Sequence, residues 1–82
     1  MIICRVVGSI ISTRKNEKLT GCKFLVVQPI SEEAPFVAVD NIGAGADERV
    51  LVVRGSAARC ACSKDMPVDA AVVGIIDEGT YQ

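Results

Sequence analysis

The stretch Asp40-Asn41-Ile42-Gly43-Ala44-Gly45-Ala46-Asp47-Glu48-Arg49-Val50-Leu51-Val52-Val53-Arg54-Gly55-Ser56-Ala57-Ala58-Arg59 packs three kinds of local structure into one segment. Gly43 and Gly45 mark a bend, because glycine alone enters the left-handed backbone region without penalty. Arg49 to Arg54 is a β-branched run and reads as a strand, stopped by Gly55. Ser56 can act as an N-cap, and Ala57 to Cys62 holds good helix formers with no Gly or Pro. One short helix is therefore predicted there, before a turn at Lys64-Asp65-Met66-Pro67.

Outward from this segment the periodicity is mostly two. Ile2 to Ile11 alternates in part, which predicts a long strand with Arg5 and Ser9 on one face and Cys4, Val6, Gly8 and Ile10 on the other. The polar stretch Ser12 to Gly21 has turn composition and reads as a loop. Lys23 to Gln28 is a β-rich run ended by Pro29, Ser31 to Pro35 is a second solvated turn, and Phe36 to Val39 restarts the sheet. Ala70 to Ile76 supplies a last strand, apolar enough to be buried on both faces. Five strands and one short helix, with no internal repeat, predict an all-β fold: a small Greek-key or OB-like closed barrel forming a single domain over residues 1–82.

The chain has 82 residues, half of them hydrophobic, with a mean hydropathy of +0.38. A chain this short hides only about 60% of its unfolded surface when it folds alone. So much apolar material on so small a body predicts self-association. Trp is absent and aromatics make up 4%, leaving the core to Val, Ile, Ala and Leu. No apolar run approaches the roughly 20 residues of a membrane-spanning helix, and no secretion signal is visible at the start, so a cytoplasmic protein without a membrane partner is expected.

In a reducing compartment Cys4, Cys22, Cys60 and Cys62 are expected to remain thiols. Cys4 sits in an apolar alternation and reads as core, whereas Cys22 in a turn and Cys62 beside Ser63-Lys64 read as exposed. There is no His and no C-x-x-C pair, and Cys60 and Cys62 would project roughly 200° apart on a helix, so no metal site is expected. Without His there is also no Ser-His or Cys-His pair for nucleophilic catalysis. Glu32-Glu33, beside Pro35, reads as solvated surface rather than a tuned acid and base. The loop Gly43-Ala44-Gly45 lacks a Gly-Lys-Ser/Thr ending and leads into a strand, so no helix N-terminus faces a phosphate. No catalytic residue and no cofactor is expected.

Three separated blocks resemble one family in order: Gly8-Ser9-Ile10-Ile11-Ser12-Thr13-Arg14-Lys15, the Asp40 to Arg59 segment, and Pro67-Val68-Asp69-Ala70-Ala71-Val72-Val73-Gly74-Ile75-Ile76-Asp77. They look like the pentameric vertex proteins of bacterial microcompartment shells, the EutN/CcmL family. The resemblance implies the same barrel, a cyclic homopentamer, and a structural role at five-fold vertices beside hexagonal shell proteins. It places subunit-interface or pore candidates at Gly43, Ala44, Gly45, Asp47, Glu48, Arg49, Gly55, Ser56 and Arg59, and shell-contact candidates at Arg14 and Lys15. At Gly45 both positive φ and close subunit approach are expected to exclude a side chain. Departures from the family pattern are Asp47 where Gly is frequent, Arg49 where Trp is frequent, and Ala57 where a second Ser is frequent; Asp47-Glu48-Arg49 would form a charged rim.

An OB-like barrel raises a rival reading, a small oligomeric module binding an oligonucleotide or small ligand. A net charge of −1 opposes it. Phe24, Phe36 and Tyr81 are too few and too scattered for a base-stacking platform, so no nucleic-acid partner is expected. Arg14-Lys15 with Lys18 forms a small basic cluster in a loop of otherwise ordinary solvated composition. A cysteine-dependent enzyme is the third and weakest reading.

Overall fold

The structure, a computed structural model, describes residues 1–62 and 65–77; Ser63, Lys64 and Tyr81, invoked above, lie outside the described residues. Five strands form a closed barrel: β1 (Ile2–Ile10), β2 (Lys23–Pro29), β3 (Phe36–Asp40), β4 (Arg49–Arg54) and β5 (Ala70–Ile75). Their order around the barrel is β1-β2-β3-β5-β4, with β4 returning to β1. All pairings are antiparallel except β3 with β5, where Val39 meets Ala71 and Asp40 meets Val72 in parallel. The helix α1 spans Ser56–Ala61, close to its predicted place. The loop between β1 and β2 contains one 3-10 turn, Glu17–Leu19, which composition does not reveal.

The barrel interior is a thin aliphatic core. Cys4, Val6, Leu25, Val27, Ala38, Val50, Val52, Ala70 and Val72 are buried there, with Ile2 and Phe36 packed at its margins. The alternation Val50, Val52 on β4 and Leu25, Val27 on β2 turns every second residue inward, as the period-two reading requires. Cys4 is fully buried, as expected; burial pushes its thiol up, against the opposing pull of the Arg54 charge.

Two expectations about faces fail. The β1–β2 register shifts between Val6 and Gly8, so Val7 is an extra, bulged residue. Beyond the bulge Ser9 pairs with the inward Leu25, while Ile10 pairs with Phe24 and is 40% exposed. Gly8 and Ile10 therefore do not share a face with Cys4 and Val6. The last strand is buried over Ala70, Ala71 and Val72, but Val73 and Gly74 are only half-buried and Ile75 is exposed.

A second, smaller apolar cluster lies outside the barrel. Val39, Ala58 and Ala71 are buried in it, with Cys22, Phe24, Val53, Cys62 and Val68 packed against them. Here α1 lies over β4 and β5 and covers the wall through Ala58, its buried residue. Cys22 and Cys62 are accordingly half-buried rather than exposed, whereas Cys60 is exposed.

Candidate functional site

The residues singled out in the sequence fall into two groups at opposite ends of β4. At about 3.4 Å per residue the strand separates Arg49 from Arg54 by roughly 17 Å, so the groups do not meet within one chain.

At the first end the loop after β3 is organised by a residue that the sequence reading passed over. Asp40 is 5% exposed and is, among the described residues, the buried charged side chain. Its Oδ1 accepts the backbone N–H groups of Ile42 at 2.9 Å and Gly43 at 3.2 Å, and its Oδ2 accepts that of Ala44 at 2.9 Å. Lys23 Nζ stands 3.9 Å from Oδ2 and donates to the Ala44 carbonyl at 3.0 Å. Three amides and a cation compensate the desolvated carboxylate. An acid at a strand end followed by Asn-Ile-Gly is the available signal, since Asp side chains fold back onto amides just ahead of them.

That carboxylate shapes the loop. Gly43 takes φ +103°, the left-handed region that glycine enters freely, and Ala44 drops into the barrel core with no exposure. The Ala44 methyl group thus packs into the core of its own barrel. At Gly45 the expectation of positive φ fails. Its φ is not positive, and a Cβ added there would meet only the Glu48 carboxylate end, at 3.4 Å.

The next turn runs from Gly45 to Glu48. The Glu48 N–H donates to the Gly45 carbonyl at 3.2 Å, and the Glu48 carboxylate accepts the Gly45 N–H. Asp47, third in this turn, takes φ +66°, a position that favours Gly or Asn. The turn is fastened to β1 at the bulge: Asp47 N–H donates to the Val6 carbonyl and Val6 N–H to the Glu48 carbonyl, each at 2.9 Å. Asp47, Glu48 and Arg49 then line an open depression with Ile75, Ile76 and Asp77.

At the second end Gly55 takes φ +66° and donates its N–H to the Asp69 carbonyl at 2.7 Å. It occupies the N-cap position, and no side chain caps the helix. Ser56 is the first helical residue, so the expected Ser56 cap is absent because the chain turns one residue earlier. Gly55, Ser56 and Arg59 line a second open depression with Pro67, Val68 and Asp69. Arg14 and Lys15 lie in neither group. They sit in the exposed β1–β2 loop, where Ser12 Oγ donates to the Arg14 carbonyl at 2.8 Å and Lys15 Nζ donates to the Ser12 carbonyl at 2.7 Å.

Residues 1–77 match the family described as ethanolamine utilisation protein EutN/carboxysome. The chain is 54% identical to the carboxysome shell vertex protein CcmL of Thermosynechococcus vestitus, covering 94% of this chain and 84% of that protein. It is 47% identical to the bacterial microcompartment shell vertex protein GrpN of Rhodospirillum rubrum, over 94% and 93%. Among solved structures, Gloeobacter violaceus CcmL superposes with a TM-score of 0.88 at 48% identity, over 94% of this chain and 86% of that one. The GrpN pentameric microcompartment shell protein from Rhodospirillum rubrum does so with a TM-score of 0.81 at 43% identity, over 94% and 93%. With nearly its whole length and its fold in agreement with these proteins, the chain belongs to the EutN/CcmL family of microcompartment shell vertex proteins.

Proposed function

We infer that this protein forms a cyclic homopentamer that caps the five-fold vertices of a polyhedral bacterial microcompartment in the cytoplasm, next to hexagonal shell proteins. The observation that carries the reading is the 54% identity to a shell vertex protein over nearly the full chain. The role is geometric rather than catalytic: a flat sheet of six-fold tiles cannot close without five-fold positions.

The two groups of candidates suit a ring. A cyclic pentamer joins each subunit to the next through two different, complementary patches. The loop end of β4, with Gly43, Gly45, Asp47, Glu48 and Arg49, and the helix end, with Gly55, Ser56 and Arg59, are two such patches. Apolar side chains left on the surface, Val7, Ile11, Val37 and Ile42 among them, add the incentive to associate. Arg14 and Lys15 are assigned to contact with neighbouring shell tiles. Neither nucleic acid nor membrane has a part in this reading, in keeping with the net charge of −1.

Native mass spectrometry at micromolar concentration tests it, with a five-subunit species expected to dominate. A stable monomer or dimer overturns the vertex assignment.

A further inference from the structure

We propose that Cys22 and Cys62 are an oxidisable pair that a hydroperoxide converts into an intrachain disulfide, stapling the end of α1 to the start of β2. Both side chains pack against the same small apolar cluster, whose buried residues are Val39, Ala58 and Ala71. Each is anchored locally: the Cys22 N–H donates to the Leu19 carbonyl at 3.0 Å, and the Cys62 N–H donates to the Arg59 carbonyl at 3.3 Å. Both remain half-exposed, so a small oxidant reaches them, whereas Cys4 is sealed in the barrel. Cys60 is exposed and belongs to neither apolar cluster.

Cys62 also senses Cys22. Burial pushes the Cys62 thiol up, and the nearby Cys22 pushes it further. That disfavours Cys62 as the attacking thiolate, so Cys62 acts as the resolving thiol. The Cys22 thiolate attacks the terminal oxygen of the hydroperoxide, the O–O bond breaks, and the displaced oxygen takes a proton and departs as water or alcohol. A sulfenic acid remains on Cys22. The Cys62 sulfur then attacks the sulfenic sulfur, the S–S bond forms, the S–O bond breaks, and hydroxide leaves with the Cys62 proton as water. Two electrons have passed from the thiols to the peroxide. The product ties down a helix that buries one side chain, Ala58, against the barrel.

This inference does not depend on the vertex reading, and its test is separate. The reduced Cys60→Ser protein is treated under native conditions with a slight excess of hydrogen peroxide, then digested with trypsin without reduction. The expected result is the tryptic fragments 19–23 and 60–64 joined by a disulfide, an intact mass lower by about two hydrogens, and a melting temperature raised by several degrees that a thiol reductant reverses. Adding Cys22→Ser should abolish both the cross-link and the shift. Cys22 and Cys62 that stay fully alkylatable after oxidation, that oxidise singly, or that cross-link only between chains would each overturn the proposal.

Discussion

The two ends of β4 are held in place by different physics. At the loop end, direction comes from polar bonds: one buried carboxylate gathers three amides, and a turn is laced to β1 by paired backbone bonds. At the helix end, α1 has six residues and no side-chain cap, and it stays down through the burial of Ala58. A helix this short is unstable by itself. The loop end is thus a shape fixed within the subunit, while the helix end is a shape borrowed from the wall beneath it. In the ring proposed above, the loop end would be the rigid patch and the helix end the adjustable one.

The contrast breaks most visibly at Asp40. Asp40→Ala leaves three amides without their acceptor and removes the Lys23 counter-ion, and should cost about 3 kcal/mol. Because Ala44 would lose its seat, hydrogen exchange should rise along the barrel end as well as in the loop. Exchange confined to residues 41–45 would show that Ala44 stays seated without the carboxylate. Ala58→Lys should cost slightly less, about 2 kcal/mol, by forcing a charge under α1. Its loss should be local, with fast exchange in α1 and an intact barrel, and a global loss would mean that the helix is no mere cover.

The glycines sharpen the same comparison. Gly43→Val places a β-branched residue at φ +103° and should lower stability by roughly 1–3 kcal/mol. Gly45→Val should cost less than about 1 kcal/mol in the monomer fold, since its backbone is ordinary and only a flexible carboxylate must yield. If Gly45→Val nevertheless lowers the subunit number in native mass spectrometry, close approach between subunits is the reason glycine stands there. An unchanged ring would remove Gly45 from the assembly surface. Ser56→Ala is expected to fall within about 0.5 kcal/mol of the parent in thermal unfolding, because the hydroxyl makes no capping bond.

The strands were legible because each is a β-branched or apolar run closed by Gly, Pro or a polar turn, and those signals are local. What local signals could not carry is pairing. The bulge at Val7 depends on Asp47 and Glu48 arriving beside Val6 from more than forty residues away, so the alternation of β1 misplaces Gly8 and Ile10. Asp40 illustrates the same limit: an acid at a strand end reads as solvated until the amides of its own loop fold over it. The interface candidates were legible as one continuous block of sequence with a family resemblance, yet β4 carries them to two ends, a separation that only topology supplies. Ser56 had the right composition for a cap and the wrong position, because Gly55 turns the chain first.

The narrow parallel register between β3 and β5 has a consequence for a protein that must sit at high density among like neighbours. Closure leaves no strand edge onto which another chain could add. That protection is uneven, since the β3–β5 seam spans only the pairs Val39 with Ala71 and Asp40 with Val72. The buried carboxylate that shapes the glycine loop stands on that seam. Asp40 therefore serves two structures at once, its backbone closing the short seam beside Val72 while its carboxylate holds the glycine loop.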